Sequence, residues 1–135
     1  MHVTVHTDGG SRGNPGKSAI GVVIEHEGTS LLSLGQYIGV GTNNRAEYIA
    51  VIEALQWLVE HVATLSGASF FLDSQLVVSQ LNGVYQVKHP DMIALKKNVD
   101  QLRSSLPFRI TFSYVPRAQN AAADALVNKA LDEHL

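Results

Sequence analysis

Four acidic residues occupy places in the sequence where separate secondary-structure elements could bring their side chains together. They are Asp8, Glu47, Asp73 and Asp124. Carboxylate oxygens are hard ligands that favour Mg²⁺ or Mn²⁺, whereas zinc sites usually contain cysteine or histidine. The chain has no cysteine, and its six histidines are scattered along it. The acids therefore predict a site for divalent metal, and the sequence gives no support for a zinc site or a Ser/His/Asp triad.

Asp8 and Asp73 share one type of position, because each follows a short apolar run that is typical of a strand. If these two strands are parallel neighbours, both carboxylates face the crevice beyond the strand ends, where α/β sheets bind ligands. Two structural explanations compete with this one. Asp73 could cap the helix that follows it, and Asp8 could hold the next turn as an Asx-turn. For either residue alone, the sequence leaves both explanations open.

Glu47 lies on the apolar side of a predicted helix over residues 43–62. At about 100° per residue it lines up with Val51, Ala54 and Leu58. The side predicted to face solvent carries Arg45, Glu53, Gln56 and Glu60. A capping box with Asn44 as the N-cap would explain the spacing but not the face. Because a carboxylate directed at the core costs several kcal/mol unless a cation compensates it, we favour a metal ligand.

Asp124 is predicted in the first turn of the last helix, in line with Val127 and Leu131 on its apolar edge. The alternative explanation is a favourable interaction with the helix dipole. Four acids at element ends, three of them beside apolar surface, are better explained by one shared site than by separate structural roles.

The elements that must position these acids follow the order βββ-α-β-α-α-β-α. The predicted strands are 2–8, 19–27, 31–40, 69–72 and 108–115. The predicted helices are 43–62, 74–81, 91–106 and 120–134. Residues 9–16 are predicted to form a tight turn, which is no phosphate-binding P-loop because it lacks the Gly-Lys-Ser/Thr ending. We expect a single α/β domain over residues 1–135, with a mixed sheet of about five strands.

Composition limits the partners and the location of the protein. With 10 basic and 12 acidic residues the net charge is −2, which is unlike the basic face usual in nucleic-acid-binding proteins. No apolar run approaches the roughly 18 residues of a membrane span. The absence of cysteine fits a reducing compartment, so we expect a cytoplasmic protein with no membrane contact, and a monomer by default.

Four blocks of sequence resemble the signature blocks of type 1 ribonuclease H. In chain order they are DGGSRGNPG at 8–16, TNNRAEYIAVIEAL at 42–55, DSQLVV at 73–78 and NAAADALVNKA at 120–130. The resemblance covers essentially the whole chain, and it implies the ribonuclease H-like fold with strand order 3-2-1-4-5. It also implies hydrolysis of the RNA strand of RNA–DNA hybrids to 5′-phosphate and 3′-hydroxyl ends.

The same resemblance assigns roles to individual residues. Asp8, Glu47, Asp73 and Asp124 match the catalytic metal-binding acids of the family. They are expected to hold Mg²⁺ or Mn²⁺, with two ions when substrate is bound, one activating water and the other stabilising the leaving 3′-oxygen.

The expected partner is an RNA–DNA hybrid duplex, and further residues resemble its contacts in the family. Asn14, Asn43, Asn44 and Gln75 match minor-groove contacts, where short amides can read 2′-hydroxyls. Thr42 and Asn14 resemble a pocket for a DNA-strand phosphate. The neighbouring residues Gly10, Ser11, Arg12 and Ser74 are also expected to contact substrate. The alternative for the Thr-Asn-Asn run is helix capping, and one residue could serve both roles.

Two departures from the family pattern are visible. The loop before the last helix lacks the usual histidine and offers Arg117, which cannot act as a base at neutral pH but could contact phosphate as a fixed cation. An ordinary surface arginine is the alternative. The segment 82–107 lacks the basic protrusion of long family members. This pattern is typical of short forms, and it predicts weaker hybrid binding with fewer phosphate contacts.

Three other functions remain open at this point. A non-catalytic binding module is disfavoured because all four acids are present. A nuclease acting on DNA, such as a resolvase or transposase core, is disfavoured by the Thr-Asn-Asn block. Double-stranded RNA is the third, as an additional substrate, because short forms with reduced specificity are conceivable.

Overall fold

The computed structural model describes residues 1–135, and every predicted strand and helix is present. The strands are β1 (His2–Gly13), β2 (Gly16–His26), β3 (Thr29–Gly41), β4 (Gly67–Leu72) and β5 (Arg109–Tyr114). The α-helices are α1 (Asn43–Glu60), α2 (Gln75–Leu81), α3 (Pro90–Ser104) and α4 (Ala121–Asp132). Short 3₁₀ turns cover Val62–Thr64 and Arg117–Asn120. No helix combines the length and the apolar character needed to cross a membrane.

The five strands form one mixed sheet in the order β3-β2-β1-β4-β5. Strands β1, β2 and β3 pair antiparallel through short turns. Strand β4 pairs parallel to β1, and β5 pairs parallel to β4. Parallel neighbours need crossover connections, and helices α1, α2 and α3 lie in these connections. The predicted fold class and strand order are therefore confirmed.

The sheet separates two apolar layers of unequal size. The larger core joins the inner faces of β1, β2, β4 and β5 to α1, α2 and α3, with Phe70, Leu55 and Leu58 fully buried. A smaller cluster joins Ala19 of β2 to the apolar stripe of α4. Helix α4 thus packs on the sheet separately from the other helices, and it carries the last of the four acids to the sheet from its own side.

The glycine-rich segment 9–16 differs from its prediction as a tight turn. Strand β1 continues to Gly13, and β2 begins at Gly16, so that only Asn14 and Pro15 form the turn. The segment pairs with β2 from Gly9–Ile20 to Gly13–Gly16. The chain reverses after Gly13, whose φ of 96° suits glycine. The other glycines in this segment lie in extended strand, where they permit close packing.

The solvent-facing side of α1 was predicted only in part. Gln56 and Glu60 are exposed, but Arg45 and Glu53 are half-buried. One terminal nitrogen of the Arg45 guanidinium, Nη1, is buried against Gly41, where an added Cβ would stand only 2.9 Å from it. The absence of a side chain at Gly41 lets the guanidinium fold back onto the sheet.

Candidate active site

Asp8 and Asp73 come together where β1 and β4 cease to pair. Parallel pairing of the two strands ends at His6 and Phe71, and each acid lies two residues beyond its strand's last pair. Asp73 follows the end of β4 as predicted. Asp8 lies within β1, where it pairs with Gly21 of β2, and not at the strand end. The predicted juxtaposition therefore arises from two parallel strands of different length.

Neither structural explanation for these two acids survives. Asp8 lies in regular strand pairing, so it holds no Asx-turn. Helix α2 is capped by Ser74, whose Oγ accepts a hydrogen bond from the Val77 N–H at 3.3 Å. Asp73 therefore does not cap α2. The Asp73 carboxylate lies close to those of Asp8 and Glu47.

Glu47 reaches the same place from α1, with its side chain directed at the sheet. The residue is only 6% exposed, which confirms its predicted face. Its Oε1 accepts a hydrogen bond from the Gly9 N–H at 3.2 Å. The N-cap of α1 is Thr42, whose Oγ1 accepts from the Arg45 N–H at 3.2 Å. The capping box with Asn44 is therefore wrong, and Glu47 is tied to the neighbouring strand.

A glycine makes this approach of α1 to β1 feasible. A Cβ added at Gly9 would lie 2.2 Å from the backbone carbon of Ala46 and 2.4 Å from the backbone nitrogen of Glu47. No side chain fits at such distances, because both opposing atoms are backbone. Asp8 precedes Gly9 on β1, so the lack of a side chain at Gly9 determines how closely Glu47 approaches Asp8.

The three carboxylates form a crowded anionic group. The ligand oxygens of Asp8, Glu47 and Asp73 lie within 4.8 Å of one another. Burial raises the pKa of Asp8 to about 7, and the charges on Asp73 and Asp124 add to the rise. Burial, followed by the charge on Asp8, raises the pKa of Glu47 well above its ordinary value. No lysine or arginine forms an ion pair with any of the three.

This donor set fits a divalent cation. Glu47 Oε2 is buried and has no hydrogen-bond partner. An unpartnered buried acceptor is costly, about 1–3 kcal/mol and more when charged, so a native structure normally supplies something to bind it. A hard cation with oxygen ligands satisfies this atom and offsets the repulsion among the carboxylates. Asp8, Glu47 and Asp73 are the residues that would hold it.

The metal-free protein is expected to lose stability as pH rises from about 4 to about 8. The pKa of Asp8 rises on folding from the ordinary 3.8 to about 7, so between these values the folded state binds more protons than the unfolded chain. Its contribution to the free energy of unfolding is therefore complete below pH 4 and lost as pH passes 7. Urea unfolding in chelator at pH 5 and pH 8 measures this loss.

The control for this prediction is Asp8→Asn, which removes the titrating group and retains the shape of the side chain. Its free energy of unfolding should fall less between pH 5 and pH 8 than that of the wild type. Saturating Mn²⁺ should reduce the loss in the wild type, because the cation stabilises the ionised carboxylates. An Asp8→Asn variant with wild-type pH dependence would contradict the assignment.

Asp124 lies beside this group, and its place depends on how closely α4 packs against the sheet. A Cβ at Gly21 of β2 or at Gly35 of β3 would come within 2.1 and 2.7 Å of a backbone oxygen of α4. The charge on Asp124 contributes to the raised pKa of Asp8, although Asp124 is not among the three acids whose oxygens cluster. Glycine inside a predicted strand is a known sign of close backbone approach, so Gly21 and Gly35 are the sequence signal from which the packing position of α4 could have been predicted.

Two side chains hold the carboxylate of Asp124. Arg117, in the 3₁₀ turn before α4, donates from Nη2 to Oδ1 at 3.3 Å. Asn128, one turn further along α4, donates from Nδ2 to Oδ2 at 3.4 Å. The hydrogen bond to Asp124 raises the pKa of Arg117, so the guanidinium is a permanent cation. Its side chain is 80% exposed, which leaves its remaining donors open to solvent.

All but one of the predicted substrate-contacting residues line two adjoining cavities. The cavity at the acids has a volume of about 450 Å³. Its lining includes Gly10, Ser11, Arg12, Asn43, Asn44, Ser74 and Arg117. An adjacent cavity of about 610 Å³ is lined by Asn14 and Thr42, and also by Asn43 and Asn44. Gln75 lies apart, on a surface that it shares with Tyr85 and Tyr114.

Sequence reasoning missed one buried polar residue at the site. Asn120 is 1% exposed, and its Nδ2 donates to the backbone oxygen of Thr7 at 2.9 Å and to Asp73 Oδ2 at 3.3 Å. Its position just before α4 is typical of a helix cap. The sequence around Asn120 carries no signal that its side chain points inward, because both acceptors lie far away in the chain.

Comparison with known proteins places the chain in a family. The sequence model of a family described as reverse transcriptase-like matches residues 6–130. A bifunctional protein of Mycobacterium tuberculosis is 44% identical over 135 residues, which cover 98% of this chain and 36% of that protein. Ribonuclease HI of Halobacterium salinarum is 38% identical over 132 residues, which cover 97% of this chain and 65% of that protein. The chain thus spans 36% and 65% of the lengths of these two relatives.

The fold comparison agrees with the sequence comparison. The crystal structure of LC11-RNase H1 in complex with an RNA/DNA hybrid matches with a TM-score of 0.92 and 38% sequence identity. The match covers 98% of this chain and 98% of that one. At this identity and coverage the likeness extends to the sequence along nearly the whole chain.

Proposed function

Because the chain belongs to the type 1 ribonuclease H family, we propose that it is a metal-dependent endoribonuclease that cuts the RNA strand of RNA–DNA hybrids. The proposed products carry 5′-phosphate and 3′-hydroxyl ends. One observation carries the proposal: the oxygens of Asp8, Glu47 and Asp73 lie within 4.8 Å of one another in an open cavity. A related protein of the same fold, LC11-RNase H1, has been crystallised with such a hybrid.

All four acids are proposed as metal ligands, in two groups. Asp8, Glu47 and Asp73 form the preassembled part, and Asp124 completes the set at the cavity edge. We propose Mg²⁺ or Mn²⁺, with two ions when substrate is bound. The ions supply an activated water and stabilise charge on the phosphate and the leaving 3′-oxygen. The protein's part is to fix the carboxylates. Glu47 is held by the Gly9 N–H of β1 and Asp73 by the amide of Asn120, and the close packing of α1 and α4 on the sheet positions Glu47 and Asp124.

A chain of hydrogen bonds orders the asparagines that we propose to contact the RNA strand. Asn43 Oδ1 accepts from the Ser11 N–H at 2.8 Å, and Asn14 Oδ1 accepts from the Asn43 N–H at 3.1 Å. Their oxygens are thereby used inside the protein, so their exposed Nδ2 groups remain as donors. Such donors suit 2′-hydroxyl oxygens and base edges in a minor groove.

Thr42 serves two purposes in this arrangement. Its hydroxyl oxygen caps α1, while its hydroxyl proton is free to donate into the cavity that it shares with Asn14. A phosphate of the DNA strand fits there, because the N-terminus of α1 favours an anion. Gln75 would contact the hybrid further along, at the start of α2.

Arg117 is proposed to contact phosphate at the edge of the metal site. Its ion pair with Asp124 holds the guanidinium there, and the remaining N–H groups point to no protein partner. Because an arginine cannot release its proton at neutral pH, it would bind charge and not transfer protons.

Weak electrostatic attraction to the hybrid is expected from the segment 82–107. Lys96 pairs with Asp100 at 2.9 Å. Arg103 donates to the backbone oxygen of Ile110 at 3.0 Å and lies over the Phe112 ring. Lys88 and Lys97 are the basic side chains left without an ion-pair partner or hydrogen bond. Few phosphate contacts and a shallow dependence of binding on salt should follow.

Cleavage of end-labelled RNA–DNA, RNA–RNA and DNA–DNA duplexes in Mg²⁺ and in Mn²⁺ tests the proposal. We expect cuts in the RNA strand of the hybrid, intact DNA–DNA duplex, and no cleavage in chelator. If none of the three duplexes is cleaved, the proposal of an enzyme is wrong and the alternative of a non-catalytic binding module is favoured. Cleavage of the DNA duplex would point to a DNA nuclease, and cleavage of RNA–RNA would add a second substrate. The monomeric state and the cytoplasmic location stay predictions from the sequence.

A further inference from the structure

Asn120 occupies a helix N-cap but does not cap the helix. Its side chain makes no hydrogen bond to the first turn of α4, although asparagine is among the best capping residues. The side chain is instead 1% exposed, beneath the carboxylates. A polar side chain placed in this way, at the expense of its usual role, calls for another explanation.

The Asn120 amide joins three elements at one point. Nδ2 donates to the backbone oxygen of Thr7 in β1 at 2.9 Å. It also donates to Oδ2 of Asp73, just after β4, at 3.3 Å. Asn120 itself is the N-cap residue directly before α4, which carries Asp124 one turn later. The two protons of a single NH₂ group thus connect the residue before Asp8, the carboxylate of Asp73 and the helix of Asp124.

The orientation of the amide is determined by its neighbours. Thr7 O and Asp73 Oδ2 are both acceptors, so only the NH₂ end of the amide can face them. The oxygen, Oδ1, is buried without a partner. The amide therefore directs both of its N–H donors toward the site.

We propose that Asn120 is a positioning residue, which holds the Asp73 carboxylate and the start of α4 in register so that the four acids can bind metal together. The inference rests on the proposed function, since it concerns the same site. Hydrogen-bond donors behind metal ligands typically change metal affinity or activity 10–100-fold when they are removed. Asn120 does not touch the metal or the substrate, and it acts through Asp73 and α4.

The test compares Asn120→Ala with the wild-type chain by titration calorimetry with Mn²⁺ alone and by hybrid cleavage in Mg²⁺. We expect the Kd for Mn²⁺ to rise about 10–100-fold and kcat to fall by a similar factor. KM for the hybrid should stay within about threefold, because the residues that contact nucleic acid are unchanged. Loss of a residue that serves only the stability of the fold would not lower kcat and Mn²⁺ affinity while leaving KM unchanged.

Asn82→Ala is the matched control. Asn82 also donates an amide N–H to a backbone oxygen, that of Phe112 at 3.0 Å, but at the far edge of the sheet. We expect it to lower the free energy of unfolding while Mn²⁺ affinity and kcat stay within twofold. If Asn82→Ala weakened Mn²⁺ binding as much as Asn120→Ala, general destabilisation would be the cause and the proposal would fail.

A second variant covers the case in which Asn120→Ala does not fold. Asn120→Ser keeps one short donor in place of two, so Mn²⁺ affinity should fall about 3–10-fold. Wild-type affinity and kcat in the folded variant would overturn the proposal. If the wild type bound Mn²⁺ but cut no hybrid, the proposed function would fail, and the Mn²⁺ titrations would still decide the role of Asn120.

Discussion

Replacement of Asp73 by asparagine is expected to lower kcat for hybrid cleavage by about 10³-fold. The change removes one charged ligand from the three-acid group and keeps the shape of the side chain. Metal ions contribute several kcal/mol to stabilisation of a transition state. A loss of about 4 kcal/mol corresponds to a factor of about 10³, since each 1.36 kcal/mol is tenfold. Single-turnover cleavage of a labelled hybrid in Mg²⁺ measures the effect.

The same substitution should act in the opposite direction on the metal-free fold. Asp73 raises the pKa values of Asp8 and Glu47 through its charge, so its neutralisation relieves repulsion and should raise the free energy of unfolding in chelator. Glu60→Gln is the matched control, because it neutralises an exposed carboxylate at the far end of α1, about 20 Å from Glu47. Unchanged cleavage by Asp73→Asn would defeat the site assignment.

Replacement of Gly9 by alanine should have the largest effect on stability. The added Cβ would lie 2.2 Å from the backbone carbon of Ala46 and 2.5 Å from its oxygen. Backbone atoms cannot give way as the end of a flexible side chain does, so α1 must move off β1. We expect the free energy of unfolding to fall by about 3 kcal/mol or more, at the upper end of overpacking changes, as measured by urea titration.

Loss of metal-dependent stabilisation should accompany this change, because movement of α1 carries Glu47 away from Asp8. Mn²⁺ should therefore stabilise Gly9→Ala less than it stabilises the wild type. Gly10→Ala is the control for stability, since its Cβ would meet only Val127 Cγ1, at 3.4 Å. It should cost less than about 1 kcal/mol. If Gly9→Ala and Gly10→Ala lowered the free energy of unfolding equally, the close packing of α1 on β1 at Gly9 would not be the cause.

Much of the site was open to prediction from the sequence because its acids lie in strongly patterned segments. The apolar stripe of the first helix predicted that Glu47 faces the core, and the structure confirms it. The short apolar run before Asp73 predicted a buried strand with the acid at its end, which is also confirmed. Both inferences use periodicity within one element, and a local pattern is sufficient for that.

Roles that depend on a second element were predicted less well. The glycines at 9–13 looked like a turn, yet they extend β1, because β2 offers a pairing partner and α1 needs a strand without side chains at the crossing. Asn120 was placed only at the start of the last predicted helix, yet its amide faces inward because the Thr7 oxygen of β1 and the Asp73 carboxylate accept its hydrogen bonds. Neither partner can be recognised from the neighbouring sequence.

The sequence by itself determined which acids are available, in which elements they lie and on which face Glu47 projects, since helical and strand periodicities are local properties. Only the tertiary structure decided that three of these acids crowd within 4.8 Å while Asp124 stays at the edge, paired with Arg117. That division follows from where α1 and α4 meet the sheet. Glycines in β1, β2 and β3 set those distances through contacts between residues far apart in the chain.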